Sequence, residues 1–304
     1  MDLRRLDDLV TLTGENKPKR LVVAAAEDKH ILDAINTAAK KKLVYPVLTG
    51  DKDIIRRYCI DIGYNLKDTE LHHAPDQEQT CTLAVRLVKE GKAEILMKGM
   101  VSTASLLKAV LEKDNGLRKR DVLSHFALIE VPGYNKLIGI TDAAINIQPD
   151  LKEKVSIIQN SVEVLHRLGF IKPRVAVLAP VEIVNPKMAA TVDAAALHLM
   201  YLRNQIHGCI IDGPLALDNA VSAEAAKQKG IDSLVAGNAD ILVVPDLNSG
   251  NILYKSLVFL AGGTAAAVVM GARVPVVLTS RADSERSKFM SIALAAAMDN
   301  EIPT

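Results

Sequence analysis

Apolar and polar positions along this chain follow two periods, and the two alternate. Residues 20–26 (RLVVAAA) form a short apolar run. After Glu27-Asp28, apolar or small residues recur at Ile31, Ala34, Ile35, Ala38 and Ala39. The run reads as a buried strand and the spaced positions as one face of a helix, with Glu27 and Asp28 suited to the positive end of its dipole. The couplet recurs: strand 45–49 and helix 51–59, strand 71–74 and a helix over 78–90 stopped by Gly91. Strand 94–97 follows, with a helix to Glu112. Such alternation predicts a parallel, doubly wound sheet. The opening MDLRRLDDLVTLTG places Leu3, Leu6 and Val10 at helical spacing. It reads as a short amphipathic helix and not as a signal peptide.

The rhythm breaks once. Residues 126–131 and 136–141 read as strands flanking Pro132-Gly133-Tyr134-Asn135, a hairpin signal. The loop 142–150 follows, and a domain junction is expected there. The alternation then resumes with helix 151–168, strand 174–178, helix 187–202, strand 208–211, a turn at Asp212-Gly213-Pro214 and a helix from Asp218 or Asn219. Residues 236–287 read as strand 241–244, polar loop, helix, Gly262-Gly263 turn, second helix, strand 274–278, polar loop and helix. The pattern predicts an α/β protein of two domains. Residues 1–143 with 270–304 form the first and 144–269 the second, so that the last strand and the Ala-rich tail helix return to the first sheet.

Composition narrows the class. Aromatics make up 3% with no Trp, against 49% hydrophobic residues rich in Ala, Val, Ile and Leu, the palette of helix-covered parallel sheets. A net charge of +1 gives no general field for nucleic acid or an anionic membrane. Cys59, Cys81 and Cys209 are odd in number and far apart, which argues against a disulfide framework or a zinc site and for a reducing, cytoplasmic setting. Residues 256–272 are uncharged but fall short of the roughly 20 apolar residues of a membrane span, and Gly262-Gly263 interrupts them.

Candidate chemistry gathers where strands end. Ser280-Arg281-Ala282-Asp283-Ser284 offers a hydroxyl, a planar cation and a carboxylate. An arginine there can grip phosphate through two parallel hydrogen bonds, and a serine can donate to an oxyanion. Asp283 or Ser284 equally suits the cap of the last helix. Asp246-Leu247-Asn248-Ser249-Gly250-Asn251 places a glycine among polar residues before a helix, either a phosphate-facing turn or a plain loop with Asn251 as N-cap. Lys98-Gly99 leads into Ser102-Thr103, again a ligand loop or a helix cap. His125, next to Ser124, follows the basic residues Arg118, Lys119 and Arg120. His72-His73 point to opposite faces of a strand and make a poor metal pair. There is no GxGxxG, GxSxG, HExxH or CxxC, which lowers dinucleotide, serine-hydrolase and zinc chemistry.

Taken together, several blocks resemble the phosphotransacetylase/phosphate butyryltransferase family over nearly the whole chain. They are KPKRLVVAAAEDKHILDAI, PVLTGD, AEILMKGMVST, LIGITDAAINIQPDLKEK, IDGPLALDNAVS, AGNADILVVPDLNSGNILYKSL and VPVVLTSRADS. The butyryl branch fits better: VEIVNPKMAATVDAAAL (181–197) resembles its form, where the acetyl branch has a Gly/Ser-rich loop. Phe259 stands where the acetyl branch carries an arginine. Arg286 or Ser287 stands where that branch has its catalytic aspartate, with Asp283 and Glu285 the neighbouring carboxylates.

The resemblance implies two α/β/α domains of isocitrate/isopropylmalate dehydrogenase-like architecture, with the active site in the cleft between them, and a homodimer or larger oligomer. It implies acyl-CoA + phosphate ⇌ acyl phosphate + CoA, by direct thiolate attack on the acyl carbon, with coenzyme A as substrate and neither a metal nor a prosthetic group. The implied catalytic residues are Ser280, Arg281 and Asp283. Those implied to bind CoA, acyl-CoA, phosphate or acyl phosphate are Lys98, Gly99, Ser102, Thr103, Ser124, His125, Asp142, Asn146, Asp246, Asn248, Ser249, Gly250 and Asn251. Rival readings are a phosphate acetyltransferase or broad short-chain acyltransferase, a non-catalytic two-domain anion-binding protein, and a dehydrogenase of similar architecture.

Overall fold

A computed structural model of the chain describes residues 3–14, 17–280 and 282–298. Its contacts divide it into two compact units, one built on Leu6–Asp121 and Ala265–Asp299, the other on Val122–Thr264.

The first unit begins with α1 (Asp8–Gly14), β1 (Lys19–Ala24), α2 (Lys29–Lys40), β2 (Val44–Gly50), α3 (Lys52–Asp61), β3 (Glu70–His73), α4 (Gln77–Lys89), β4 (Ile95–Lys98) and α5 (Thr103–Val110). Its helices start where short polar side chains satisfy the first backbone N–H groups. Asp28 accepts from Ile31 N, Asp51 from Asp53 N and Ile54 N, Asp76 from Gln79 N, and Ser102 from Ser105 N. The strands pair in parallel, with Val22 level with Val47 on one side and with Leu96 on the other. Leu21, Val22 and Val23 have no exposed surface, as expected of strands covered on both faces.

The second unit runs through β5 (Ser124–Glu130), β6 (Ile138–Thr141), α6 (Leu151–Arg167), β7 (Arg174–Leu178), α7 (Ala189–Leu202), β8 (Ile210–Leu215), α8 (Leu217–Val221), α9 (Ala223–Gln228), β9 (Ile241–Val243) and α10 (Leu247–Lys255). The sheet order is β5-β6-β9-β7-β8, parallel except for the β5–β6 hairpin. The expected hairpin is present, its turn eased by Gly133 at φ +81°. Asp150 and Glu153 form a capping box at the start of α6.

The chain then returns to the first unit as β10 (Thr264–Met270), β11 (Val276–Val277) and α11 (Glu285–Ala297). β11 lies parallel to β4 and antiparallel to β10, completing the order β3-β2-β1-β4-β11-β10. α11 is buried from Ser287 to Ala297 and packs against α1 and α2. Its Phe289, Met290, Ile292 and Leu294 each contribute on the order of 2 kcal/mol of apolar burial.

Three expectations are corrected. The run after Gly262-Gly263 is the strand β10 and not a second helix, because pairing in a fully buried sheet overrides alanine's helix preference. Asp212-Gly213-Pro214 is not a turn but part of β8, with the Gly213–Pro214 peptide cis. Residues 247–251 are helix and not a loop, so α10 begins five residues earlier than expected. The chain contacts divide at 121/122 and 264/265.

Candidate functional site

Two clusters hold the residues singled out by sequence, one in each unit. In the first unit the ends of β1, β4 and β11 lie side by side, since these strands are parallel neighbours. Carboxyl ends of parallel strands are where open α/β sheets bind ligands. Gly99 N donates to Ala24 O at 2.8 Å and Met100 N to Ala25 O at 2.7 Å. A Cβ on Gly99 would stand 1.8 Å from Ala25 O, so glycine alone fits there. Lys98 is buried and donates from Nζ to Gly99 O and Val101 O at 3.1 and 3.3 Å. Ser102 caps α5 and its hydroxyl lies 2.7 Å from that of Ser105. Thr103 opens the helix and is half-buried.

The loop after β11 stands beside this group, because Val277 is level with Met97. Ser280 is exposed. Its N–H donates to Asp283 Oδ2 at 2.7 Å, its hydroxyl accepts from Ala282 N at 3.3 Å, and its carbonyl accepts from Asp283 N at 3.2 Å. The Asp283 carboxylate thus folds the loop back on itself. Arg281 lies outside the described residues. Ser284 is the N-cap of α11, accepting from Ser287 N at 3.1 Å. The other nearby side chains are committed elsewhere. Glu285 meets His30 at 2.8 Å and Arg286 meets Asp7 at 2.9 Å. The Ser287 hydroxyl accepts from Ser284 Oγ and from Ala265 N.

Beneath this loop sits Lys288, which sequence reasoning missed. It is buried, at 4% exposure, and its ammonium donates to the carbonyl of Asp283. Among the described residues no carboxylate stands within ion-pair distance of it. The bond to Asp283 holds its Nζ directly under the Ser280 loop. Its signal in the sequence is weak. Lys288 is the last charge before the uncharged stretch 289–298 and looks like the solvent end of the helix.

The second unit's cluster forms where β5 starts, β6 ends and α10 begins. Antiparallel pairing sets Phe126 level with Thr141, which puts Ser124 and His125 near Asp142 and Ala143. The Thr141–Asp142 peptide is cis. Asp142 is 3% exposed, and its carboxylate accepts from the N–H groups of Ala144, Ile145 and Asn146 at 2.8, 3.0 and 3.3 Å. The Asn146 amide donates to that carboxylate and to Leu123 O, tying the loop to β5. Asp142 therefore shapes the loop. Asn160 of α6 donates to Ser124 Oγ at 2.9 Å and to Val122 O at 3.0 Å. As an acceptor from Asn160, the Ser124 hydroxyl keeps its own proton to donate. His125 is buried and meets the Tyr254 ring edge-on at 6.1 Å.

α10 locks onto the same loop. Asp246, and not Asn251, is its N-cap, accepting from Ser249 N at 2.9 Å and from the Ser249 hydroxyl. Asn251, one turn in, donates to Ala143 O at 3.2 Å. A Cβ on Gly250 would come within 2.5 Å of Asp142 O, so glycine permits the close approach. Asn248 is exposed on the first turn. Asn160 and Tyr254 were missed because both sit on helix faces that read as ordinary core and surface.

A protein-family profile described as phosphate acetyl/butaryl transferase matches residues 69–296. The probable phosphate butyryltransferase of Bacillus subtilis is 49% identical over 98% of this chain and 99% of its own. The phosphate acetyltransferase of Thermotoga maritima is 45% identical over 96% of this chain and 98% of its own. Among solved structures, a branched-chain phosphotransacylase from Enterococcus faecalis superposes with TM-score 0.81 at 34% identity, covering 93% of this chain and all of that one. A 4-hydroxythreonine-4-phosphate dehydrogenase from Burkholderia phymatum shares the fold at TM-score 0.55 and 14% identity, over 93% of this chain and 99% of its own.

Proposed function

Since this chain belongs to the phosphate acetyl/butyryl transferase family, whose members transfer acyl groups between CoA and phosphate, we propose that it is a phosphate butyryltransferase. The reaction is butyryl-CoA + phosphate ⇌ butyryl phosphate + CoA. The observation that carries the butyryl reading is the segment 181–197, which resembles the butyryl form. It covers the loop after β7 and the first part of α7, and it presents Ile183, Val184 and Met188 at 71, 50 and 38% exposure. Exposed apolar side chains suit a longer acyl chain than acetyl.

In this proposal the CoA thiolate attacks the acyl carbon of the acyl phosphate. The S–C bond forms, the carbonyl oxygen takes up the displaced electron pair, and the C–O bond to phosphate breaks. A free thiol titrates near ~8.5, so positive charge favours the thiolate. Arg281 grips the departing phosphoryl group with two parallel hydrogen bonds. Ser280 donates to the developing oxyanion or the leaving group, and Lys288 raises the local potential under both. Asp283 and Asp142 are positioning residues, each spending its carboxylate on backbone N–H groups. Ser124, His125, Asn146, Asn248 and the first turn of α10 contribute to substrate binding. Fixing two reactants in line supplies ~7–11 kcal/mol of barrier lowering.

The test is phosphate-dependent release of CoA from acetyl-, propionyl- and butyryl-CoA, followed with a thiol reagent. Two further methylenes at ~0.8 kcal/mol each give butyryl-CoA an advantage of roughly 15-fold in kcat/KM over acetyl-CoA. Equal or better turnover of acetyl-CoA overturns the butyryl reading in favour of a phosphate acetyltransferase. Binding of acyl-CoA without turnover overturns the enzyme assignment altogether.

A further inference from the structure

At the opposite ends of β1 and β2 from Lys98, Gly99 and Ser280, the first unit carries a cavity of about 630 Å³. That volume falls within the range of small-ligand sites. β1, β2, β4 and β11 all run parallel, so the start of β1 and the end of β4 point opposite ways. The six residues of β1 separate the two regions by roughly 20 Å. Nothing in the acyl-transfer chemistry uses this end of the sheet.

Asn36 of α2 lines the cavity and is itself 5% exposed. Among the described residues no group hydrogen-bonds to its side-chain amide, and neither amide atom is shut off from solvent. Both amide atoms therefore keep some solvent contact on a residue that lines the cavity. An amide offers one donor and one acceptor side by side, which matches a purine edge carrying an amino group beside a ring nitrogen. Tyr45, 51% exposed near the start of β2, supplies an aromatic face for a planar base. Lys40 and Lys42 stand exposed on the same wall with no carboxylate within ion-pair distance among the described residues, and two ammonium groups suit phosphates. Asp68 on the facing side is exposed, and its carboxylate suits a ribose diol.

From this set we infer a second ligand site in the first unit, for a purine nucleotide, with Asn36 reading the base and Lys40 and Lys42 holding the phosphates. The inference does not rest on the acyltransferase reading. The ligand chemistry has two sources, a free nucleotide or the nucleotide end of CoA, and the arms of the test separate them.

Calorimetric titration of the whole protein with ADP, ATP, adenosine 3′,5′-bisphosphate and, as a charge control, pyrophosphate is the experiment. The expected result is one saturable nucleotide site per chain. The surface variant Lys40→Glu with Lys42→Glu weakens it roughly tenfold or more. Asn36→Leu weakens it to a similar extent, with acyl transfer measured without nucleotide unchanged in the lysine variant. Tighter binding of ADP or ATP than of the bisphosphate points to a free nucleotide, and the reverse order to CoA. The inference is overturned if no nucleotide binds at millimolar concentration or if pyrophosphate binds as tightly as ADP. It is also overturned if the lysine variant binds nucleotide as the parent does, which would put the heat at the CoA site. That variant changes solvated side chains, so it keeps the test decisive even if Asn36→Leu fails to fold.

Discussion

Two loops in this protein do the same topological job and are built in opposite ways. The loop after β6, residues 142–146, is closed around a buried carboxylate that accepts from three consecutive backbone N–H groups, and Asn251 and Gly250 of α10 press against it. The loop after β11 is folded by exposed contacts of Ser280 with Asp283 and Ala282 and is tied from below by Lys288. The first is preorganised before any ligand arrives. The second keeps a hydroxyl in solvent over a buried positive charge. A rigid loop suits recognition of a fixed shape, whereas an exposed loop over a charge suits a group that arrives and leaves as phosphate.

The largest effect expected lies beneath the open loop. Gly99→Val drives a side chain into backbone oxygens of β1 that cannot withdraw, costing about 4 kcal/mol or more. A thermal melt should show the loss, and an unchanged Tm would break the claim that this strand end is fixed. Next comes the chemistry of the open loop. Ser280→Ala should lower kcat about 10²–10³-fold with Tm unchanged, and Arg281→Lys should lose activity badly in a folded protein because lysine lacks the fork. Near-parental turnover in either would remove the residue from the reaction.

The closed loop should respond the other way. Asp142→Ala strands three half-buried N–H groups and should cost about 3 kcal/mol of stability, read by denaturant unfolding. A loss of kcat with no loss of stability would make Asp142 a reacting group and sink the contrast. Lys288→Met keeps the side chain's volume and removes its charge. It should raise KM for phosphate roughly tenfold, with partial recovery in Lys288→Arg; an unchanged KM would mean the lysine only props the loop.

The smallest expected signal is none. Burial lifts the Cys209 thiol to about 12 and those of Cys59 and Cys81 to about 11. They should stay silent toward a thiol reagent at pH 8 until the chain is unfolded. Because the folded thiols hold protons that the unfolded chain sheds, stability should fall as pH rises from the ordinary thiol value of 9.0 toward 12.

The contrast also explains what could be read without coordinates. The strand–helix rhythm of the first 112 residues was legible because each strand is an apolar run and each helix opens at a polar cap such as Asp28, Asp51 or Asp76. β10 was not, since TAAAVVM carries no alternation when both faces are buried. The start of α10 was misplaced because Asp246 and Asn251 are both good caps, and Gly250 argued for a loop. In the helix it is instead the residue that lets α10 approach Asp142. Asp142 was picked out by resemblance as a ligand contact, and its carboxylate accepts from the loop's own backbone. Asn160 was hidden because long-range packing, and not local pattern, gives it Val122 and Ser124 as partners, and Lys288 because it reads as the solvent end of the last helix.

The placement of β11 between β4 and β10, with α11 against α1 and α2, bears on how the protein is made. During synthesis the amino-terminal half leaves the ribosome with the flank of β4 open and the apolar faces of α1 and α2 uncovered. The segment that closes them emerges only after the whole second unit. The nascent first unit is therefore an exposed strand edge for most of translation. A chain that stops before Ala265 has made its Gly99 strand end with nothing to seal it, and is expected in the insoluble fraction.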